Sequence, residues 1–197
     1  MGCAAVRCFF YEMSARNIGI SAAGGVHYLY DRYNFAEGKN MAVKTNALRI
    51  IESAGIGFEA FEYDISDGMI DAVSIARKIG RTSEEVFKTL VTEDPHHEHF
   101  VFVIPACAEL DLKKAAKVTG RKSIDLIPSK QLLGLTGYIH GGCSPVGMKK
   151  AFPTFIDETA ILYETICVSG GRVGLNIAVA PEELAGLVDA EFIDLTK

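Results

Sequence analysis

The chain has no run of apolar residues approaching the ~20 needed to cross a bilayer as a helix, which excludes a helical membrane-spanning protein. It has no CxxC pair either. Its five cysteines (Cys3, Cys8, Cys107, Cys143, Cys167) are odd in number and scattered, which suits free thiols in a reducing cytoplasm rather than a disulfide framework. Net positive charge is also missing: 20 Lys and Arg against 25 Asp and Glu leave −5, which excludes wholesale coating of nucleic acid. No internal repeat and no linker divides the core.

What remains is a 197-residue sequence, 49% hydrophobic with mean hydropathy +0.19, enough for one well-packed domain. The charge is uneven. Lys113, Lys114, Lys117, Arg121 and Lys122 fall close together, and Lys149 and Lys150 follow the glycine-rich stretch LTGYIHGGCSPVG (135–147). Such a cluster reads either as a solvated helix face or as a patch for a short, defined piece of RNA.

Residues 1–40 show neither a helical nor an alternating period, and no apolar core ahead of a small-residue cleavage site. At Met41 the pattern changes to a fresh start and an amphipathic helix. Residues 1–40 are therefore expected to be an extension and 41–197 the core domain. Tyr28, Tyr30, Tyr33 and Phe35 are left to pack on the domain or a neighbour.

Within the core, spacing and caps predict helices over 47–54, 71–80, 111–120, 128–137 and 181–189, and a brief helical turn at 82–86. Alternation and β-branching predict strands at 58–63, 86–92 and 99–105, then TFIDE, TICVSGG, GLNIAVA and EFIDL. Several strands adjoin one another without regular βαβ alternation. That order favours an α+β domain with a mixed, curled sheet.

Few residues look chemical. PHHEH (95–99) lacks the i, i+4 histidine pair and the second cluster that a metal site needs, so it reads as a polar hairpin tip. Cys143 between Gly142 and Ser144 suggests a nucleophile with His140 as base. On an extended segment, however, residues three apart face opposite ways, and the GxSxG elbow is absent. Lys88 in VFKTLV shares a strand face with Val86 and Leu90, opposite Phe87, Thr89 and Val91. A lysine there either snorkels at the sheet rim or is aimed at an anion or developing oxyanion. Gly-Gly turns at 141–142 and 170–171 can expose backbone N–H groups, though ordinary tight turns use the same residues.

Together VFKTLV, ELDLKKAAKVTG, LTGYIHGGCSPVGMKKAFPTFID and ICVSGGRVGLNI, in that order from about Lys44 onward, closely resemble the YbaK family of aminoacyl-tRNA editing proteins, in its Cys-tRNA(Pro) deacylase branch. The resemblance implies a single compact α+β domain with a mixed, barrel-like β-sheet flanked by helices, related to the editing domain of bacterial prolyl-tRNA synthetases. It implies a cytoplasmic, cofactor-free and metal-free hydrolase that clears cysteine from proline tRNA, with Cys-tRNA(Cys) as a further substrate. In the implied mechanism the substrate's own thiol attacks the ester and leaves as a thiolactone.

Carried over by position, Lys88 and Gly141 are the implied catalytic pair. Tyr63, Thr89, Gly137, Gly142, Ser144, Ser169, Gly170 and Asn176 are the implied substrate-binding residues. An aspartate of some members stands here as Asn176. A pocket phenylalanine of others has no clear counterpart in ISDGMIDAVS, where Met69 or Ile70 substitutes. Implied partners are the 3′ aminoacyl end and acceptor stem of a mischarged tRNA, met by the basic patch, with prolyl-tRNA synthetase as a further partner and no membrane. The competing readings are a deacylase for another mischarged tRNA such as Ala-tRNA(Pro), or a non-catalytic tRNA- or synthetase-binding module.

Overall fold

The computed structural model describes residues 44–197; the expected extension and its aromatic residues lie outside the described residues. Among the described residues five α-helices, α1 (Asn46–Ser53), α2 (Ala72–Lys78), α3 (Leu112–Val118), α4 (Ser129–Thr136) and α5 (Pro181–Val188), accompany eight strands. The strands are β1 (Phe58–Glu62), β2 (Phe87–Glu93), β3 (His99–Pro105), β4 (Asp125–Leu126), β5 (Thr154–Asp157), β6 (Ile166–Arg172), β7 (Leu175–Val179) and β8 (Ala190–Ile193).

The predicted mixed sheet is realised as two sheets that do not close into a barrel among the described residues. One is antiparallel, in the order β1-β7-β6; the other runs β4-β2-β3-β5-β8, with β3–β5 and β5–β8 parallel. They meet at a parallel bridge between Val86 and Cys167, where the Cys167 amide donates to Glu85 O at 2.8 Å. No helix among the described residues is long and apolar enough to cross a membrane.

Burial explains the sequence pattern. In β3, Val101 and Val103 enter the main core between the sheets, while Phe100, Phe102 and Ile104 enter a second core under α3. A strand buried on both faces reads as a continuous apolar run rather than an alternation. In β2, Phe87 and Val91 join the main core and Leu90 packs on the second, as the predicted split of faces requires. A third cluster, including Ala76 of α2 with Val86 and Cys167, covers the seam between the sheets.

Local chemistry sets the helix ends. Thr45, Asp71 and Asp111 cap α1, α2 and α3 by accepting from backbone amides, and Gly137 closes α4 at φ 86°, a conformation costly for any residue with a Cβ. The expected helical turn at 82–86 is a turn in which Glu85 accepts from the Thr82 amide at 2.9 Å.

Candidate active site

A cleft of about 330 Å³ opens along the seam, at the start of β2. Its walls include Ile70 to Val73 at the start of α2, Val86 with Phe87 to Leu90 of β2, and the loop after α4 with His140, Gly141 and Cys143. Ser169 of β6 and Asn176 of β7 complete it, paired with each other in the ladder. Thus Lys88, Thr89, Gly141, Ser169 and Asn176, dispersed over 89 positions of sequence, line one cleft.

Lys88 neither simply snorkels nor points freely at a ligand. Its Nζ donates to Ala106 O at 3.0 Å and Ala108 O at 2.6 Å, the carbonyls where the chain leaves β3. An ammonium has three N–H donors, so these bonds fix its position and leave one. Partial burial holds its pKa below the ordinary lysine value, opposed by the nearby Cys107 and Glu109. Beside it, the Thr89 hydroxyl is buried without a hydrogen-bond partner among the described residues. A buried hydroxyl left unpaired costs stability unless something else supplies the partner.

The glycine-rich loop is built to hold its backbone open. Tyr138 spans it by donating its hydroxyl to Val146 O at 2.6 Å, and burial pushes that phenol up to about 12. The Gly142 amide turns back to Ile139 O at 3.0 Å, whereas the Gly141 amide donates to no acceptor among the described residues. Gly141 sits at φ 77°, and a Cβ there would lie 3.0 Å from Ile70 Cδ1. Glycine at 141 therefore serves both conformation and close approach to the opposite wall.

His140 and Cys143 both line the cleft, contrary to the opposite-face expectation, because the segment is a turn at Gly141 and not an extended strand. The thiol is nevertheless a poor nucleophile, since burial pushes Cys143 up to about 12. Among the described residues no group of three His, Cys, Asp or Glu is arranged to hold a metal ion. His97 is exposed at the β2–β3 turn, 3.1 Å from Glu93, away from this cleft.

The other residues expected to bind substrate lie outside the lining. Gly137 ends α4 against the Lys149 stem, and a Cβ on Gly142 would lie 2.9 Å from Val173 N. Ser144 is fully buried and accepts from the Val146 amide at 3.2 Å. Gly170 abuts Leu175, and its carbonyl accepts from the Thr45 hydroxyl at 2.5 Å. Tyr63 is buried with its hydroxyl unpaired among the described residues and its phenol pKa raised by desolvation; Lys78 Nζ lies 6.0 Å from the ring centroid. Asp71, by contrast, lines the cleft although sequence reading marked it only as a helix start.

The expected basic patch is smaller than its sequence. Lys114 is committed to Asp194 at 2.7 Å and to Thr196 O at 2.6 Å, and Arg121 pairs with Glu98 and Asp94. Lys113, Lys117 and Lys122 remain of the five, for among the described residues they carry no ion pair.

Comparison with known proteins agrees with this architecture. Residues 68–187 match the family model of the aminoacyl-tRNA editing domain. The chain is 42% identical over 158 residues, 80% of its length and 96% of the relative's, to "Putative Cys-tRNA(Pro)/Cys-tRNA(Cys) deacylase EbsC" from Enterococcus faecalis. Among solved structures it is similar to "a putative trans-editing enzyme for prolyl tRNA synthetase", at TM-score 0.69 and 25% identity over 79% of this chain and 99% of that one. It also shares its fold with hypothetical protein APE2540, at TM-score 0.71 and 21% identity over 78% of this chain and 100% of that one. The chain belongs to the aminoacyl-tRNA editing domain family.

Proposed function

We propose that this protein is a free-standing deacylase that hydrolyses cysteine from mischarged proline tRNA in the cytoplasm, with Cys-tRNA(Cys) as a further substrate. One observation carries the reading: among the described residues the cleft offers fixed hydrogen-bond donors, and the one thiol that lines it, Cys143, is a poor nucleophile. Lys88 is pinned by two carbonyls with one N–H to spare, and Gly141 contributes an amide that donates to no acceptor among the described residues. The 42% identity to a protein named as a Cys-tRNA(Pro)/Cys-tRNA(Cys) deacylase supports it.

Such a cleft suits a substrate that brings its own nucleophile. The cysteinyl thiol attacks the ester carbonyl carbon; the C–S bond forms, the bond to the ribose oxygen breaks, and the thiol proton passes to that oxygen. Cysteine departs as a cyclic thioester, which water opens. The third N–H of Lys88 and the Gly141 amide stabilise negative charge on the carbonyl oxygen, donors already in place that need no reorganisation at the moment of reaction. Editing of this kind is needed because a pocket discriminates poorly between side chains as similar in size as cysteine and proline. The unpaired lysines 113, 117 and 122 supply a salt-dependent contact to acceptor-stem phosphates, and prolyl-tRNA synthetase is a further partner.

Incubating the protein with Cys- and Ala-charged proline tRNA tests the proposal. Faster release of cysteine is expected; faster release of alanine overturns the thiol-assisted mechanism. Failure to deacylate any charged tRNA would favour a binding module.

A further inference from the structure

We infer that Asp71 binds the free α-ammonium of the aminoacyl group and makes the enzyme selective against N-blocked substrates. The inference rests on the deacylase reading above. Among the described residues lining the cleft, Asp71 is the only carboxylate, and Lys88 is the fixed cation. An aminoacyl ester carries its own positive amine, one carbon away from the reacting carbonyl. Drawn towards Lys88 without a counter-charge, that amine would meet like-charge repulsion in a partly dehydrated cleft.

Asp71 is placed to prevent this. Ile70, its neighbour, reaches to within 3.0 Å of where a Cβ on Gly141 would stand, so the start of α2 abuts the loop proposed to hold the carbonyl. An aminoacyl ester whose carbonyl meets the Gly141 amide can bring its α-nitrogen to this side of the cleft. Asp71 Oδ1 accepts from the Ser74 amide at 2.9 Å, which fixes the carboxylate. A carboxylate has about four acceptor positions, so the cap leaves capacity for an ammonium. Thr89, His140, Ser169 and Asn176, the other polar side chains lining the cleft, carry no carboxylate and cannot balance the charge. The consequence is a filter: acylated amines, including those of peptidyl-tRNA, lose both the charge and two donors and are spared.

The test compares deacylation of Cys-tRNA(Pro) with that of the N-acetyl-cysteinyl form, thiol free in both, by the wild type and by Asp71→Asn. Asparagine caps a helix about as well as aspartate, so the substitution removes charge while keeping α2. Asp71 is exposed in the free protein, so wild type is expected to favour the free amine by about two- to fivefold, the range for an exposed ion pair. Asp71→Asn is expected to lose most of that preference, through slower cleavage of the free-amine substrate alone. Equal cleavage of both substrates by the wild type overturns the inference and leaves the deacylase reading standing. So does an equal loss on both substrates in Asp71→Asn. Absence of cleavage of Cys-tRNA(Pro) by the wild type overturns the deacylase reading itself.

Discussion

Replacing Lys88 by methionine removes the ammonium and keeps a stem of similar length. Two bonds disappear, to Ala106 O and Ala108 O. Charge-assisted hydrogen bonds contribute about 1.5–3 kcal/mol each. Against that loss stand the relief of desolvation, the main cause of the lowered Lys88 pKa, and access of cleft water to the two carbonyls. With these opposed, the variant should unfold cooperatively within about 2 kcal/mol of wild type in a urea titration. Its rate should fall far more, by about 10²–10³-fold, the loss typical of a single preorganised donor to a developing oxyanion. Single-turnover deacylation of Cys-tRNA(Pro) reads that number, and Lys88→Arg should not restore it, because a planar fork does not fit a position fixed by two carbonyls. The linkage has a definite sign. The folded pKa of Lys88 is depressed, so the unfolded chain binds the proton more tightly, and wild type gains stability over the methionine variant as pH rises towards the ordinary value of 10.5. A folded Lys88→Met enzyme working within threefold of wild type would refute the assignment.

Gly142→Ala should destabilise the domain by about 1–3 kcal/mol, because its Cβ would strike the backbone of Arg172 and Val173 rather than a movable side chain; an unchanged urea midpoint would contradict this. Cys143→Ser should keep activity within about threefold, since a thiol held near 12 contributes little thiolate at neutral pH. In mass-spectrometric mapping of alkylation at pH 8, the exposed Cys107 should react well before the buried Cys143 and Cys167; rapid labelling of Cys143 would show the burial to be wrong. Acid should unfold the protein progressively below about pH 4. The Asp71 carboxyl is held low first by the Ser74 side chain, Glu85 by the Thr82 amide and Asp111 by the Lys114 amide. Depressed carboxyls stabilise the fold above their unfolded values and lose that contribution as pH falls through the folded ones, so a melting temperature flat from pH 6 to 3 would exclude the effect.

Legibility followed the physics of each element. Strand β3 is legible to its end residues because six consecutive apolar positions, Phe100 to Pro105, follow His99 and all are buried. The two-residue β4 and the 3-10 turn Glu158–Leu162 were not read, since neither is long enough to carry a period. Face alternation placed Lys88 and Thr89 correctly on β2, but that they meet Ser169 and Asn176 depends on how two sheets join, which no local pattern encodes. The glycines were the ambiguous case. A glycine in a motif shows that a Cβ is unwelcome, not whether ligand or backbone would occupy the space: Gly141 faces the cleft, and Gly142 the turn behind it. Asp71 escaped notice because capping accounts for an aspartate before a helix so fully that a second use leaves no separate trace in the sequence.

The Val86–Cys167 bridge has a bearing on when activity can arise during folding. Its partners lie far apart in the chain, and the cleft draws Lys88 and Thr89 from one sheet and Ser169 and Asn176 from the other. Contacts of such separation form late, after the loop between them has been closed. A nascent or partly unfolded chain can thus hold a finished β2–β3 hairpin, with Lys88 already bound to its carbonyls, and still have no pocket. Catalytic competence in this domain requires both sheets in place, so deacylation itself reports that the two sheets have docked.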